Sequence, residues 1–136
     1  MSEASTNAGV ISTRELKKAV VFLRSDGIVQ IDIKVGVDEL SLDDFKDITE
    51  AIKIVGKGKK CPILSVASGY INVEKEAREF SAGEEGTKYT LADAFVLHSF
   101  ALKLIGNFYL KIDKPIVPTK MFTSTESATQ WLKTFI

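Results

Sequence analysis

Apolar and polar positions change period repeatedly along this chain, and each change marks an element. Ala19-Val20-Val21-Phe22-Leu23 is an unbroken apolar run. After Ser25-Asp26-Gly27, the residues Val29, Ile31, Ile33 and Val35 alternate with Gln30, Asp32 and Lys34. That pattern predicts a β-hairpin turning at Asp26-Gly27, with the second arm less completely covered than the first. From Ser41 the period becomes helical, with Leu42, Phe45, Ile48, Thr49, Ile52 and Val55 on one stripe. Ser41 is the expected N-cap with Asp44 three residues on, and Gly56 and Gly58 end the helix.

Pro62 to Ala67 reads as a short buried strand and Ser68-Gly69-Tyr70 as the loop leaving it. Asn72 is the expected cap of a second helix carrying Glu74 and Glu76 in its first turn and turning Ala77 and Phe80 inward. Ser81 to Thr90 is polar, holds Gly83 and Gly86, and reads as a mobile surface loop. A strand from Asp93 to Leu97 follows, then a helix whose Leu97, Phe100, Ala101, Leu104, Ile105 and Phe108 have the spacing of a face pressed onto a sheet. Ile112-Asp113-Lys114-Pro115 ends it. Val117 to Phe122 is strand-like, since Pro118 sits among its first residues. Thr123-Ser124-Thr125-Glu126 is the expected capping box of a last helix buried through Ala128, Trp131, Leu132 and Phe135.

The resulting order is β-β-α-β-α-β-α-β-α. Strands separated by helices pair in parallel and a hairpin pairs antiparallel, so the prediction is an α/β fold with a five-stranded mixed sheet and four α-helices. The expected boundaries are a disordered leader over residues 1–16 and one domain over 17–136, which suits a chain of 136 residues that is 45% hydrophobic.

Charge and cysteine content narrow the function classes. Lys plus Arg and Asp plus Glu are 18 each, giving no net field toward nucleic acid, and aromatics do not interleave with basic residues as a stacking platform would need. The basic cluster Lys57, Lys59 and Lys60 follows a helix end, where it complements the dipole. Cys61 is the only cysteine, which excludes an internal disulfide, and its place before Pro62 and an apolar run reads as a structural thiol in a reducing, cytoplasmic setting. No stretch has the apolar length of a membrane span, so no integral membrane association is expected.

The order of elements, with Ala92-Asp93-Ala94, Leu104-Ile105-Gly106-Asn107-Phe108-Tyr109, Pro115-Ile116-Val117-Pro118-Thr119-Lys120-Met121-Phe122-Thr123 and Ala128-Thr129-Gln130-Trp131-Leu132, resembles the STAS domain of the SpoIIAA-like superfamily, the anti-anti-sigma-factor fold. The resemblance spans residues 17 to 136, and its final segments resemble a subgroup of small stand-alone bacterial proteins. It implies a non-enzymatic regulatory domain that works by binding a protein partner or a second copy of itself, with homodimerisation an expectation. In anti-anti-sigma members a phosphorylatable serine precedes the second helix in an Asp-Ser-Ser/Thr-Gly context. Only Ser68-Gly69 stands at that place here, with Ala67 before it and Tyr70 after it, so phosphorylation at Ser68 transfers weakly and an ordinary loop serine is the plainer reading.

Loops at the carboxyl ends of parallel strands gather in one crevice. Here they carry Ser68, Gly69, Tyr70, His98, Ser99 and Thr123, and Arg78 is within reach as an anion clamp, although an ion pair with Glu74 is the simpler use of that side chain. A small ligand is expected there, under the Ser81 to Thr90 loop, if one binds. Ser99, Thr123 and Ser124 are equally ordinary helix caps. Asp93, His98 and Ser99 are catalytic residue types without the glycines of a nucleophile elbow, and one histidine cannot build a multi-histidine metal site, so no catalytic residues, metal or cofactor are assigned. Gly106 is read as permitting close helix-to-sheet packing and Asn107 as bonding the loop around Pro115. Asn107, Phe108 and Tyr109 are the candidate interaction surface.

Overall fold

A computed structural model describes residues 8–136 of the chain. Eight strands and four helices follow one another among them. They are β1 (Val10–Glu15), β2 (Ala19–Arg24), β3 (Val29–Ile33), β4 (Glu39–Leu40), α1 (Leu42–Val55), β5 (Cys61–Ala67), β6 (Asn72–Val73), α2 (Lys75–Ala82), β7 (Thr90–Leu97), α3 (Phe100–Asp113), β8 (Thr119–Phe122) and α4 (Thr125–Lys133). The predicted four helices and mixed sheet are present. The sheet has six strands rather than five, in the order β1-β2-β3-β5-β7-β8.

The added strand is β1. Residues 1–7 of the expected leader lie outside the described residues, but Val10–Glu15 pair antiparallel with β2 as an edge strand. Nearly every β1 side chain is exposed, so no buried alternation marks it in the sequence. The hairpin at Asp26-Gly27 is as predicted, with Gly27 at φ 89°, where a side chain would be strained. β3, β5, β7 and β8 then run parallel.

Strand alternation sorts the core into two layers. Val21, Val29, Ile31 and Ile63 meet Ile48, Ala51, Ile52 and Val55 of α1. Leu64, Ala92, Ala94, Val96 and Phe122 meet Ala128 and Leu132 of α4 on the other face. The local signals at both ends of α1 hold: Ser41 Oγ accepts from the Asp44 backbone N–H at 3.2 Å while the Asp44 carboxylate accepts from the Ser41 backbone N–H at 2.8 Å. The capping box of α4 is displaced by one residue. Ser124, not Thr123, is its N-cap, accepting from the Ser127 N–H at 3.2 Å.

Three local expectations fail for tertiary reasons. Asn72 does not cap α2; it belongs to a two-residue parallel ladder in which Asn72 pairs with Glu39 and Val73 with Leu40. Of the segment from Ser81 to Thr90, Ser81 and Ala82 finish α2, Thr90 begins β7, and the residues between form a series of turns rather than a free loop, with Thr87 N–H donating to the Gly83 carbonyl at 3.1 Å and its buried hydroxyl donating to the same oxygen at 2.7 Å. Gly86 is packed on the backbone of Phe80 and Ser81, and that contact needs a glycine. This segment enters β7 at its amino end, so it lies at the opposite end of the strand from the crevice it was expected to cover.

Candidate functional site

The parallel strands end at an apolar cavity of about 190 Å³. Its floor is the carboxyl half of the sheet, from Ile31 and Ile33 on β3 through Ser65 and Ala67 on β5 to Phe95 and Leu97 on β7. Phe45 and Ile48 of α1 and Leu40 of β4 close one side, and the chain from Gly69 to Val73 with Arg78 closes another. The roof is α3, through Leu102, Ile105, Gly106 and Tyr109. Ser65, Ala67 and Gly69 are small residues at positions where β-branched or aromatic side chains would have filled the space.

An α3 without a tight seat follows from that volume. The helix has 14 residues and not one of them is buried, whereas α1, of equal length, buries four. Its phase is also rotated from the one its spacing suggested, and of the helix residues expected to face the sheet only Ile105 lines the cavity. Phe100, Leu104 and Phe108 face outward, at 69%, 55% and 60% exposure, and the sheet-facing row is Leu102, Gly106 and Tyr109. Apolar residues cover the circumference of the helix except along Lys103, Asn107 and Lys111, so close approach sets which apolar row turns inward, and Gly106 supplies it: a Cβ there would stand 2.9 Å from Met121 Sδ.

Arg78 links roof and wall. Its Nε donates to Asp113 Oδ2 at 3.1 Å, its Nη1 donates to the Val73 carbonyl at 3.3 Å, and its guanidinium carbon lies 4.5 Å from the centre of the Tyr109 ring. The partner is therefore an acid at the end of α3 rather than Glu74 one turn earlier in α2. Nη2 makes no hydrogen bond among the described residues and stays available to an oxygen at the cavity rim.

The sequence-derived candidates divide accordingly. Gly69, Tyr70 and Arg78 line the cavity. Ser68 is exposed beside it, in the bend after β5, and His98 and Thr123 are exposed away from the lining. Ser99 is the N-cap of α3, its Oγ accepting from the Leu102 N–H at 3.3 Å. Phe108 and Tyr109 meet edge to face, their ring centres 5.9 Å apart, with Phe108 exposed and Tyr109 lining the cavity, and Asn107 makes no bond to the Pro115 loop among the described residues. Asp93 and His98 do not converge, because five residues of extended chain separate them by roughly 16 Å. Cys61 is buried with its thiol pushed up by desolvation, the nearby Lys59 only partly opposing this, which suits a packed thiol rather than a nucleophile.

Asp93 is a feature the sequence reading did not single out as unusual. It projects from β7 on the same face as Phe95, is half-buried by accessible surface, accepts no hydrogen bond among the described residues, and has its carboxyl pushed up to about 7 by desolvation among the atoms packed around it. Among the described residues no cluster of three or more histidine, cysteine or acidic side chains could hold a metal. Among the described residues no helix is long and apolar enough to cross a membrane.

The fold and site can be set beside known proteins. A sequence model of a domain of unknown function, DUF7793, matches residues 21–136. A crystal structure of an uncharacterized protein of the DUF3478 family from Shewanella loihica PV-4, described as having a SpoIIAA-like fold, superposes with a TM-score of 0.55 at 14% identity. The match covers 92% of this chain and 94% of that one, so the SpoIIAA-like architecture is shared across nearly the whole domain. No curated protein matches.

Proposed function

This chain belongs to the DUF7793 family, and from its geometry we propose that it is a non-enzymatic binding domain whose cavity takes a small molecule with an alkyl or ring body and an oxygen acceptor at one end. The SpoIIAA-like fold is consistent with a binding or regulatory domain in general. The observation that carries the finer reading is the unfilled apolar volume of about 190 Å³ under a helix that buries no side chain. An apolar cavity of about 150 Å³ is large enough to stay dry and hold benzene. The cavity is partly open, so its apolar lining meets water and forgoes the packing contacts of a filled core. A ligand that fills it recovers that contact energy, and Arg78 Nη2 at the rim favours one ending in a carboxylate or similar oxygen.

Purified protein examined by native mass spectrometry, then titrated with medium-chain fatty acids while its melting temperature is followed, tests the reading. A ligand bound at a hundred times its Kd adds about 2.7 kcal/mol, a shift of several degrees for a domain of this size. Ala67→Phe, which fills the cavity from its floor, should abolish that shift. Absence of any shift across alkyl carboxylates, alkyl alcohols and aromatic acids, with no bound species on purification, would sink the proposal.

A further inference from the structure

The outward face of α3 carries a second, separate pattern. Phe100, Leu104, Phe108 and Ile112 recur every four residues and form one exposed ridge along the helix, Ile112 being 54% exposed. Ile116, just beyond the helix end, is exposed as well. The adjacent ridge is Lys103, Asn107 and Lys111, with Lys114 at the C-cap. None of these three lysines makes an ion pair among the described residues, and the helix's single acid, Asp113, is turned inward to Arg78. The face is thus apolar along one line and uncompensated positive along the next.

We propose that this face docks on an anionic lipid bilayer, with Phe100, Leu104 and Phe108 entering the boundary between headgroups and acyl chains and the lysine ridge lying over the headgroups. A helix in a bilayer interface needs an apolar ridge of that length, a basic flank and no outward acid, and α3 supplies all three. A protein interface of mixed character would be expected to present acids and bases together, whereas this surface is complementary only to negative charge. The same helix roofs the cavity, so the docked face and the ligand-facing row Leu102, Gly106 and Tyr109 are different faces of one element, meeting where the Phe108 and Tyr109 rings touch. Docking does not depend on the cavity being filled, and the two readings stand or fall separately.

Flotation of the full chain with vesicles checks it. Wild-type protein should rise with phosphatidylcholine vesicles containing about one third phosphatidylglycerol, and about tenfold less with phosphatidylcholine alone. Leu104→Asp and Phe108→Asp should each lower binding to the anionic vesicles by about tenfold or more, and so should the Lys103→Glu, Lys111→Glu pair. These side chains are at the surface, so far-UV circular dichroism and melting temperature should stay those of the wild type. Ala67→Phe should float like wild type, which separates this result from the fate of the cavity proposal. The proposal is overturned if wild-type protein stays down with both vesicles, or if Phe108→Asp floats unchanged. It is likewise overturned if Phe108→Asp turns a wild-type dimer into a monomer on size exclusion while vesicle binding is absent, since the ridge would then be an interface between copies.

Discussion

Arg78 and Asp113 join two helices that share no covalent neighbour: the guanidinium Nε of α2 donates to the carboxylate at the end of α3 at 3.1 Å, while the same guanidinium stacks on Tyr109. With no buried side chain in α3, this clamp and the Gly106–Met121 contact are the specific ties that seat the roof of the cavity. Both partners are mostly shielded, at 22% and 13% side-chain exposure, so the pair is worth more than a free surface ion pair. Asp113→Asn should cost about 1–2 kcal/mol and raise amide exchange selectively in α3. Arg78→Lys should behave the same way, because an ammonium cannot stack on the ring and bond the Val73 carbonyl as well. Hydrogen exchange followed by mass spectrometry gives the comparison, with α1 as the internal reference.

A second polar pair lies deep beneath α4. Arg24 is 1% exposed, its Nη2 lies 2.6 Å from Asp26 Oδ2, and its Nη1 donates to Gln30 Oε1 at 3.2 Å. Burying a guanidinium is tolerable only while its counter-charge is present. Asp26→Asn should therefore lower stability by about 3 kcal/mol, and adding Arg24→Met should restore most of that loss by removing the orphaned charge. Urea denaturation of the two single variants and the double variant measures the recovery. A double variant no more stable than Asp26→Asn would show that the pair is not the source of the effect.

The turns after α2 make a packing prediction. A Cβ at Gly86 would stand 2.7 Å from Ser81 Cα and closer still to the Phe80 carbonyl oxygen, and this backbone cannot swing aside as a side-chain tip can. Gly86→Ala should cost about 3 kcal/mol, at the upper end of ordinary overpacking. Gly83→Ala, whose Cβ would sit 3.2 Å from the Glu79 carbonyl, should cost less than half as much. Thermal melts of the two variants give the ranking directly.

What could be read from the chain was whatever its local chemistry decides. Ser41 with Asp44 announces the start of α1, Asp26-Gly27 announces a turn, and the buried rows of β2, β3 and α4 announce themselves by period. β1 was illegible because an edge strand exposed on both faces carries no alternation, and β4 and β6 because two residues cannot show a period. The crevice at the strand ends was foreseeable from topology, and Gly69, Tyr70 and Arg78 were found that way. Its apolar character was not, since it arises from what Ser65 and Ala67 fail to fill once Phe95, Phe45 and α3 are brought around them. The phase of α3 was misread for a related reason: apolar residues cover all of its circumference but the Lys103-Asn107-Lys111 line, and the Gly106 approach to Met121 selects the inner row among them.

Asp93 supplies a pH dependence whose sign can be worked out. Burial pushes its carboxyl from the ordinary 3.8 up to about 7 in the folded protein, because nothing among the described residues donates to the charged form. Between those two values the folded chain keeps a proton that the unfolded chain has released. Stability must therefore fall as pH rises, by up to about 1.4 kcal/mol per unit. This contribution is complete below about pH 4 and gone once pH passes about 7. Asp44 works in the other direction. Burial alone would raise its carboxyl, but the Lys18 ammonium at 2.7 Å and the Ser41 donors hold it below the usual range, so its stabilising effect is lost only in stronger acid. The two carboxyls thus act in separate pH ranges. Urea midpoints at pH 5 and pH 8 should show wild-type protein weaker at pH 8, and Asp93→Asn, which carries no charge to desolvate, should be the more stable of the two at pH 8 with most of the slope removed. An Asp93→Asn variant that keeps the full wild-type slope between those pH values would place the dependence on some other group.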